Sequence, residues 1–204
     1  MKRKGSGFAV TVGLACLVVV AGCGSDDKPT SGISIDTLSG TTGTACAVPL
    51  DAAATNSGVE GTSPAQGSVL VGDPAVVDPS TAIPQGTSPV DAADAVEVTC
   101  TMQVSTGGQI DLTLIAARTD AAAEVLIPAA AKAAGLSTNQ AQQLANDATR
   151  AKASELVPVP GSNAVAMMVS KVRGAASTAF VVSSPTLKRA QVEQIARQLD
   201  QRLR

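Results

Sequence analysis

The chain has 204 residues with 17 acidic and 15 basic side chains, and it contains no histidine, tryptophan or tyrosine. The absence of histidine excludes Ser-His-Asp and Cys-His catalytic arrangements and removes the commonest transition-metal ligand. With only two phenylalanines, the chain cannot form an aromatic stacking platform. Its net charge of −2 gives no reason to expect nucleic-acid binding.

The first 22 residues have the layout of a secretory signal. Lys2, Arg3 and Lys4 precede an uncharged run to Gly22, which is most apolar between residues 8 and 20. An uncleaved membrane helix is the alternative. This apolar centre of about 13 residues is, however, short against the roughly 20 that cross a bilayer.

The end of this run, Val20-Ala21-Gly22-Cys23, resembles the lipobox of bacterial lipoproteins position by position. The resemblance implies that residues 1–22 are removed as a signal peptide. It also implies that Cys23 receives diacylglycerol and a further acyl chain such as palmitate. Because each buried methylene contributes about 0.8 kcal/mol, several chains on one cysteine anchor stably. We therefore expect a lipoprotein on the extracytoplasmic face of the cell membrane.

Residues 23–44 are predicted to be the lipid anchor followed by a flexible tether. The segment is rich in glycine, serine, threonine and aspartate, and such a composition buries too little apolar area to offset chain entropy. Residues 45–204 then form one domain.

The domain is predicted to begin with a helix after Cys46. Pro49 suits the first helical turn, Leu50 and Ala53 lie on one face, and Gly58 ends the helix. A Pro-rich insertion at 61–91 follows. Its prolines exclude regular helix and disfavour central strands. Short edge strands and a lid over the domain surface are both open interpretations of this insertion.

A β-hairpin is the clearest local prediction. Two runs of alternating apolar residues flank the turn 106–109, where Gly107-Gly108 accommodates positive φ. The inward residues are Val96, Val98, Cys100, Met102 and Val104 on the first strand, and Ile110, Leu112, Leu114 and Ala116 on the second.

Cys46 and Cys100 are predicted to form a disulfide. Cys16 leaves with the signal and Cys23 is acylated, so these two remain as the only pair in an oxidising compartment. The alternative is two buried free thiols. On the chain-entropy model, a bridge closing this loop stabilises the fold by about 4 kcal/mol.

Helices are predicted next. Asp120 is a plausible N-cap, Pro128 kinks or restarts the helix, and Gly135 ends it. Ser137 and Gln140 have the spacing of a capping box for a second helix.

A second hairpin is predicted over 164–183, followed by a last helix that opens at Ser184-Pro185. Its apolar stripe is formed by Val192, Ile195, Leu199 and Leu203. The predicted fold class is α+β: a four-stranded antiparallel sheet made of two β-β-α units, with helices packed on it.

From Cys46 onward the pattern resembles a family of uncharacterised actinobacterial lipoproteins, and it has some likeness to extracytoplasmic sensor domains. The features that carry this resemblance are Cys46, Cys100, Val159-Pro160-Gly161 with Asn163-Ala164, the hairpin 164–183 and the helix from Pro185. The family has no agreed activity, so the resemblance implies no catalytic residues.

The predicted function is a non-catalytic ligand- or protein-binding or sensor module of the cell envelope. The membrane is a partner through the lipid anchor, and an envelope protein or a small apolar ligand is a further candidate. A carrier of lipid or another apolar ligand is the alternative function. No cofactor or metal is predicted.

An enzyme is disfavoured. Ser25 and Lys28 match S-x-x-K, but they lie in the predicted tether, where nothing would hold an oxyanion hole. Thr149 and Lys152 share helical spacing on a predicted solvated face. Four aspartates could bind calcium only loosely, because no D-x-D-x-D-G loop is present. They are Asp73, Asp78, Asp91 and Asp94.

Overall fold

The computed structural model describes residues 32–73, 87–105, 107–161 and 164–204. The lipobox, the S-x-x-K match, Asn163 and Asp78 lie outside these residues. The described helices are α1 (Ile35–Ser39), α2 (Leu50–Asn56), α3 (Pro89–Ala92), α4 (Ala122–Ala134), α5 (Thr138–Arg150) and α6 (Arg189–Leu203). The strands are β1 (Gln66–Val71), β2 (Ala95–Val104), β3 (Gly108–Ala117), β4 (Glu155–Val157), β5 (Ala164–Ser170) and β6 (Ser177–Ser184).

The prediction of a four-stranded sheet is wrong, because the structure contains one six-stranded sheet in the order β1-β2-β3-β6-β5-β4. All neighbouring strands pair antiparallel. The four strands of the two predicted hairpins are the central ones, β2-β3 and β5-β6, and they join through β3 and β6. Both strands that the prediction missed are edge strands.

The edge strands escaped the prediction because neither has a full alternating pattern of its own. β4 is three residues long, too short for a periodicity to be read. β1 lies within the Pro-rich insertion, where an edge strand was one of two open interpretations. Its side chains face a partly exposed edge, so its sequence carries little of the apolar alternation that marks a buried strand.

The first face of the sheet packs against α1, α2 and α6. Its strand residues include Val98, Cys100, Met102 and Leu112, all at most 2% exposed. The predicted apolar stripe of α6 is confirmed, because all four of its residues are completely buried in this core: Val192, Ile195, Leu199 and Leu203. Phe180 lies fully buried at the centre.

The second face is covered over only part of its width. α4 packs on β6, β3 and β5, with α5 outside it. The side chains beneath α4 are apolar and buried, among them Ile115, Val165, Met167 and Val181. The short helix α3 packs on one end of β2 beside Ala95. Over the rest of β1, β2 and the adjoining part of β3, the second-face residues are polar apart from Leu70.

The domain begins earlier than the sequence predicted. Ile35 and Leu38 of α1 are 1% and 0% exposed, so part of the segment assigned to the tether contributes to the first core. Ser34 caps α1 by accepting from the Thr37 N–H. The backbone at the start of α1 pairs with Arg173. The Ile35 N–H donates to the Arg173 carbonyl, and the Arg173 N–H donates to the Ile33 carbonyl.

Two predictions about helix ends are confirmed: the capping box of Ser137 and Gln140, and the stop at Gly135, which adopts the αL conformation. Two helix starts differ from their predictions. Ala121, not Asp120, is the N-cap of α4, and Pro128 lies inside one continuous helix. α6 begins at Arg189, after a turn that contains Pro185. The reason is that Ser184 is still paired in β6, opposite Ala164, so the helix starts only after the chain has left the sheet.

Within the part of the chain that the structure describes, no helix is both long enough and apolar enough to cross a membrane.

Candidate functional site

The candidate site is the part of the second sheet face that no described helix covers, which we call the polar face. It consists of Ser68, Thr99, Thr101, Gln103, Gln109, Asp111 and Thr113. The register places these side chains side by side, because Ser68 is opposite Thr99, Thr101 opposite Asp111, and Gln103 opposite Gln109. Side chains directly opposite on an antiparallel pair have Cβ atoms about 4.5–5.5 Å apart, so the residues form one continuous array.

Hydrogen bonds connect the side chains of the polar face. The Ser68 and Thr99 hydroxyls are 2.8 Å apart. Thr101 Oγ1 donates to Asp111 Oδ1 at 3.0 Å, and Gln109 Nε2 donates to the same oxygen at 2.6 Å. Gln103 Nε2 donates to Gln109 Oε1 at 3.1 Å. Six of the seven side chains are therefore oriented by a neighbour, and Thr113 is the exception among these bonds.

Asp111 connects the polar face to a cavity at the end of the sheet. The cavity has a volume of about 630 Å³, and its lining includes Asp111, its β6 partner Ser183, and Lys188. The turn into α6 forms one wall, and the first residues of β5 form another. The lining also includes the apolar side chains of Ala133, Val165 and Leu187, so the cavity combines groups suited to hydrogen bonding with apolar surface.

The Val159-Pro160-Gly161 stretch, part of the family resemblance, is fastened beside this cavity by Arg189. The Arg189 Nη1 group donates to the Val159 carbonyl at 2.8 Å, and Nη2 donates to the Gly161 carbonyl at 2.7 Å. Gly161 has φ of +104°, a conformation that favours glycine. The motif therefore has a structural role in positioning the loop after β4.

The predicted disulfide between Cys46 and Cys100 is confirmed. Cys46 lies beyond the outer side of β1, where its N–H donates to the Ala65 carbonyl, and Cys100 lies on β2. Gly67 of β1 lies opposite Cys100. A Cβ there would lie 3.0 Å from the Cys100 Sγ and would also contact the Thr99 carbonyl. Glycine is thus required for the bridge to pass over β1 onto the first face.

The outer edge of β1 borders the polar face and carries two exposed apolar side chains. Leu70 is 53% exposed and Val71 is 48% exposed, and they are the large hydrophobic residues that stand out as exposed in the described chain. Leu70 lies on the polar face, opposite Glu97, and Val71 lies on the other side of the sheet.

The aspartates considered for calcium do not form a metal site in the described chain. Among the described residues, no group of three or more Cys, Asp or Glu side chains is arranged to hold a metal ion. Asp91 Oδ1 accepts from the Asp73 N–H at 3.0 Å, and the Asp91 N–H donates to the Ser88 hydroxyl. The Asp73 N–H and then the Ser88 hydroxyl lower the pKa of the Asp91 carboxyl below its usual value. Asp94 lies 3.8 Å from Arg118.

A second polar cluster lies buried beneath α6. Asp200 is 2% exposed, accepts from the Ser170 hydroxyl at 2.7 Å, and lies 3.0 Å from Arg204. Thr178, opposite Ser170 in the sheet, has a buried hydroxyl without a hydrogen-bond partner in the structure. The hydrogen bond between Ser170 and Asp200 fastens the end of α6 to β5. Thr149 and Lys152, in contrast, both lie exposed around the end of α5.

Sequence reasoning missed the polar face, although its signal is visible. The outward residues between the alternating apolar positions of β2 and β3 are threonines, glutamines and carboxylates without a single lysine or arginine. That composition indicates a solvated face, but a sequence pattern does not indicate which solvated faces remain uncovered. No motif in the sequence indicated the cavity either.

Comparisons of the chain with family models, with curated proteins and with solved structures found no match. The resemblance to the actinobacterial lipoproteins therefore stays a prediction.

Proposed function

We propose that the chain is a lipid-anchored protein of the extracytoplasmic cell membrane that acts by binding a ligand or a partner protein, without catalysis. Cys23 is the acylated residue, and Val20, Ala21 and Gly22 are the lipobox that directs its modification. The domain from residue 32 onward carries the binding surface. That surface is the polar face together with the cavity at Asp111.

The observation that supports this proposal best is the contrast within one sheet face. An antiparallel sheet commonly leaves one face to water, so a polar face by itself does not indicate a site. Here the open part is ordered by its own hydrogen bonds, adjoins a cavity of about 630 Å³ and is bordered by the exposed Leu70 and Val71. Preorganised polar groups beside apolar contact area are what a binding surface requires.

Carriage of lipid or another apolar ligand remains the alternative function. It has less support, because Asp111, Ser183 and Lys188 lie among the apolar residues that line the cavity, and their polar groups do not suit an acyl chain. Native mass spectrometry of protein purified from its own envelope distinguishes the two functions. A co-purifying lipid that survives mild activation would favour the carrier.

The anchor is tested by Cys23→Ala. We expect the variant to lose the mass of its acyl groups and to move from the detergent phase to the aqueous phase. Cys16→Ser is the matched control, since it changes a cysteine of the signal peptide without changing the lipobox. Unchanged detergent partitioning of the Cys23 variant would overturn the anchor.

The binding surface is tested by photo-crosslinking in intact cells. A benzophenone amino acid is placed at Ser68, on the polar face, and in a second strain at Gln143, an exposed position on α5. We expect a discrete adduct at Ser68 and none at Gln143. Adducts of equal yield at both positions, or at neither, would contradict a specific binding role for the polar face.

A further inference from the structure

We propose that the outer edge of β1 is a strand-addition site that takes an extended, basic segment of another polypeptide. This inference rests on the proposed function, because the outer edge of β1 borders the polar face and the inference names the kind of partner that would bind there. It depends on the backbone of β1, on its two exposed apolar side chains and on the charge around them.

The backbone of β1 offers unpaired groups at this edge. Along an antiparallel strand, successive residues direct their N–H and C=O groups to alternate sides. The Gly72 N–H donates to Ala95 of β2, whereas the Gly67 N–H points away from β2 and donates to the Thr44 carbonyl at 2.8 Å. Val69 and Val71 share the outward direction of Gly67. Among the described residues, none pairs with the outward groups of Val69 or with the N–H of Val71.

The chain itself already uses the first part of this edge as a strand partner. Ala45 pairs antiparallel with Gln66, and the Cys46 N–H donates to the Ala65 carbonyl. This pairing ends because Gly43, with φ of +100°, turns the chain away from the edge. Beyond Gly67 the edge therefore keeps the geometry of a paired strand, and no strand of the described ranges pairs with it there.

Side chains at the open part of the edge fit a docked strand. Leu70 and Val71 project to opposite sides of the sheet and are 53% and 48% exposed. A strand added beside them would cover apolar area on both sides of the sheet, in addition to its backbone hydrogen bonds. Strand addition combines these two contributions, since the main chain supplies affinity and the alternating side chains supply specificity.

Charge selects the partner. Residues 45–117 contain eight acidic residues and no lysine or arginine. Glu97 lies directly opposite Leu70, and Asp73 and Asp91 lie just beyond the end of β1. A second copy of this chain would bring the same acidic groups together, and like charges at an interface oppose association. A segment with apolar residues between basic ones complements both the edge and its surroundings.

The test uses the full chain in mild detergent and a synthetic peptide in which valine alternates with threonine between flanking lysines. Val69→Pro removes one outward N–H while leaving the bonds of β1 to β2, since proline is tolerated at edge positions whose N–H faces outward. We expect this variant to bind the peptide about tenfold more weakly, the effect of losing one hydrogen bond and local fit. Val69→Thr keeps the N–H and is the matched control, with an affinity expected within about twofold of wild type.

Two altered peptides keep the test decisive if the proline variant does not fold. One carries N-methyl groups on two adjacent central residues. Adjacent N–H groups of an extended peptide point to opposite sides, so whichever side faces β1 has lost a central donor. The other has glutamates in place of the lysines. Both are expected to lose measurable binding, and binding of the lysine peptide is expected to weaken as salt is raised.

Equal binding of the N-methylated peptide, or no binding of the lysine peptide, would overturn the strand-addition site. A Val69-dependent dimer of the chain in sedimentation velocity would overturn the basic partner, because a second copy would then occupy the edge. The crosslink at Ser68 is independent of this result. An adduct at Ser68 with no peptide binding would refute strand addition alone, whereas equal adducts at Ser68 and Gln143 would refute the proposed function.

Discussion

The two halves of the sheet differ in what covers them. The half formed by β5 and β6 is buried between α6 on one face and α4 on the other, and both of its faces are largely apolar. Among the described elements, the half formed by β1 and β2 is covered by helices on the first face. On its second face only the short α3 packs, beside Ala95, and most of the remaining side chains are polar. β3 belongs to both, since Ile115 lies under α4 whereas Asp111 lies on the polar face.

This difference places most of the doubly buried core in one half of the sheet and most of the exposed polar side chains in the other. The doubly covered half needs no further support, because its core residues contact helices on both sides. The open half lacks that burial on its second face and is instead tied down by the disulfide that closes over β1. The four predictions below test that division, beginning with the largest expected effect.

Removing the disulfide should destabilise the open half most. Replacing both Cys46 and Cys100 by serine frees a loop with a sequence separation of 54 residues. On the chain-entropy model, this lowers the free energy of unfolding by about 4 kcal/mol. Urea unfolding followed by circular dichroism measures the change. A loss below about 1 kcal/mol would mean that the bridge does not support this half.

Shortening a side chain under α4 should cost more than shortening one on the polar face. Met167→Ala empties space at a fully buried position, and we expect a loss of about 3 kcal/mol in the free energy of unfolding. Thr101→Ala removes one partly exposed hydrogen bond and should cost about 1 kcal/mol or less. Denaturant midpoints of the two variants, compared with wild type, give both values. Equal losses would remove the distinction between the two halves.

Gly67→Ala should destabilise the open half by about 2 kcal/mol, because the added methyl group forces β1 away from the bridge and from Thr99. Gly40→Ala is the matched control. Gly40 has φ of −83°, and a Cβ there meets nothing closer than 3.4 Å. That variant should change stability by less than about 1 kcal/mol in either direction. Thermal melts of both variants provide the measurement.

The smallest effect is expected at Asp91, in the acidic surroundings of β1. Its folded pKa lies below the usual 3.8 because the Asp73 N–H and the Ser88 hydroxyl favour the carboxylate. The carboxylate therefore contributes stability above the unfolded pKa, and that contribution is lost as pH falls through the folded pKa. Asp91→Asn should be slightly less stable at pH 7, with the gap closing toward pH 2. Urea midpoints at several pH values follow the gap, and one that widens toward acid would contradict this sign.

Much of the local structure was predictable because its causes are local. Alternation in β2 and β3 specified a hairpin with Cys100 inward, and Ser137 with Gln140 specified the start of α5. The start of α6 was not predictable from Ser184-Pro185, since the capping signal there competes with the pairing of Ser184 in β6. Pro128 likewise remains inside α4 because the helix is held by its packing on the sheet.

The candidate site was less predictable than the fold. Its threonines and glutamines read only as outward residues, and nothing in the sequence shows that α4 covers β6 but not β2. The same limit applies to the start of the domain. Ile35 and Leu38 are isolated apolar residues in a polar segment, and they become core residues only because Arg173 holds the backbone beside them.

The sequence by itself determined the two central hairpins and the apolar stripe of α6, because each depends on side-chain periodicity. It predicted the pairing of Cys46 with Cys100 with two free thiols as the alternative, and the structure contains the disulfide. Only the tertiary structure decided that β1 and β4 complete a six-stranded sheet and that the polar face stays open. Edge strands form when a neighbouring strand offers unpaired backbone groups, and a face is covered or left open by helices that are distant in sequence.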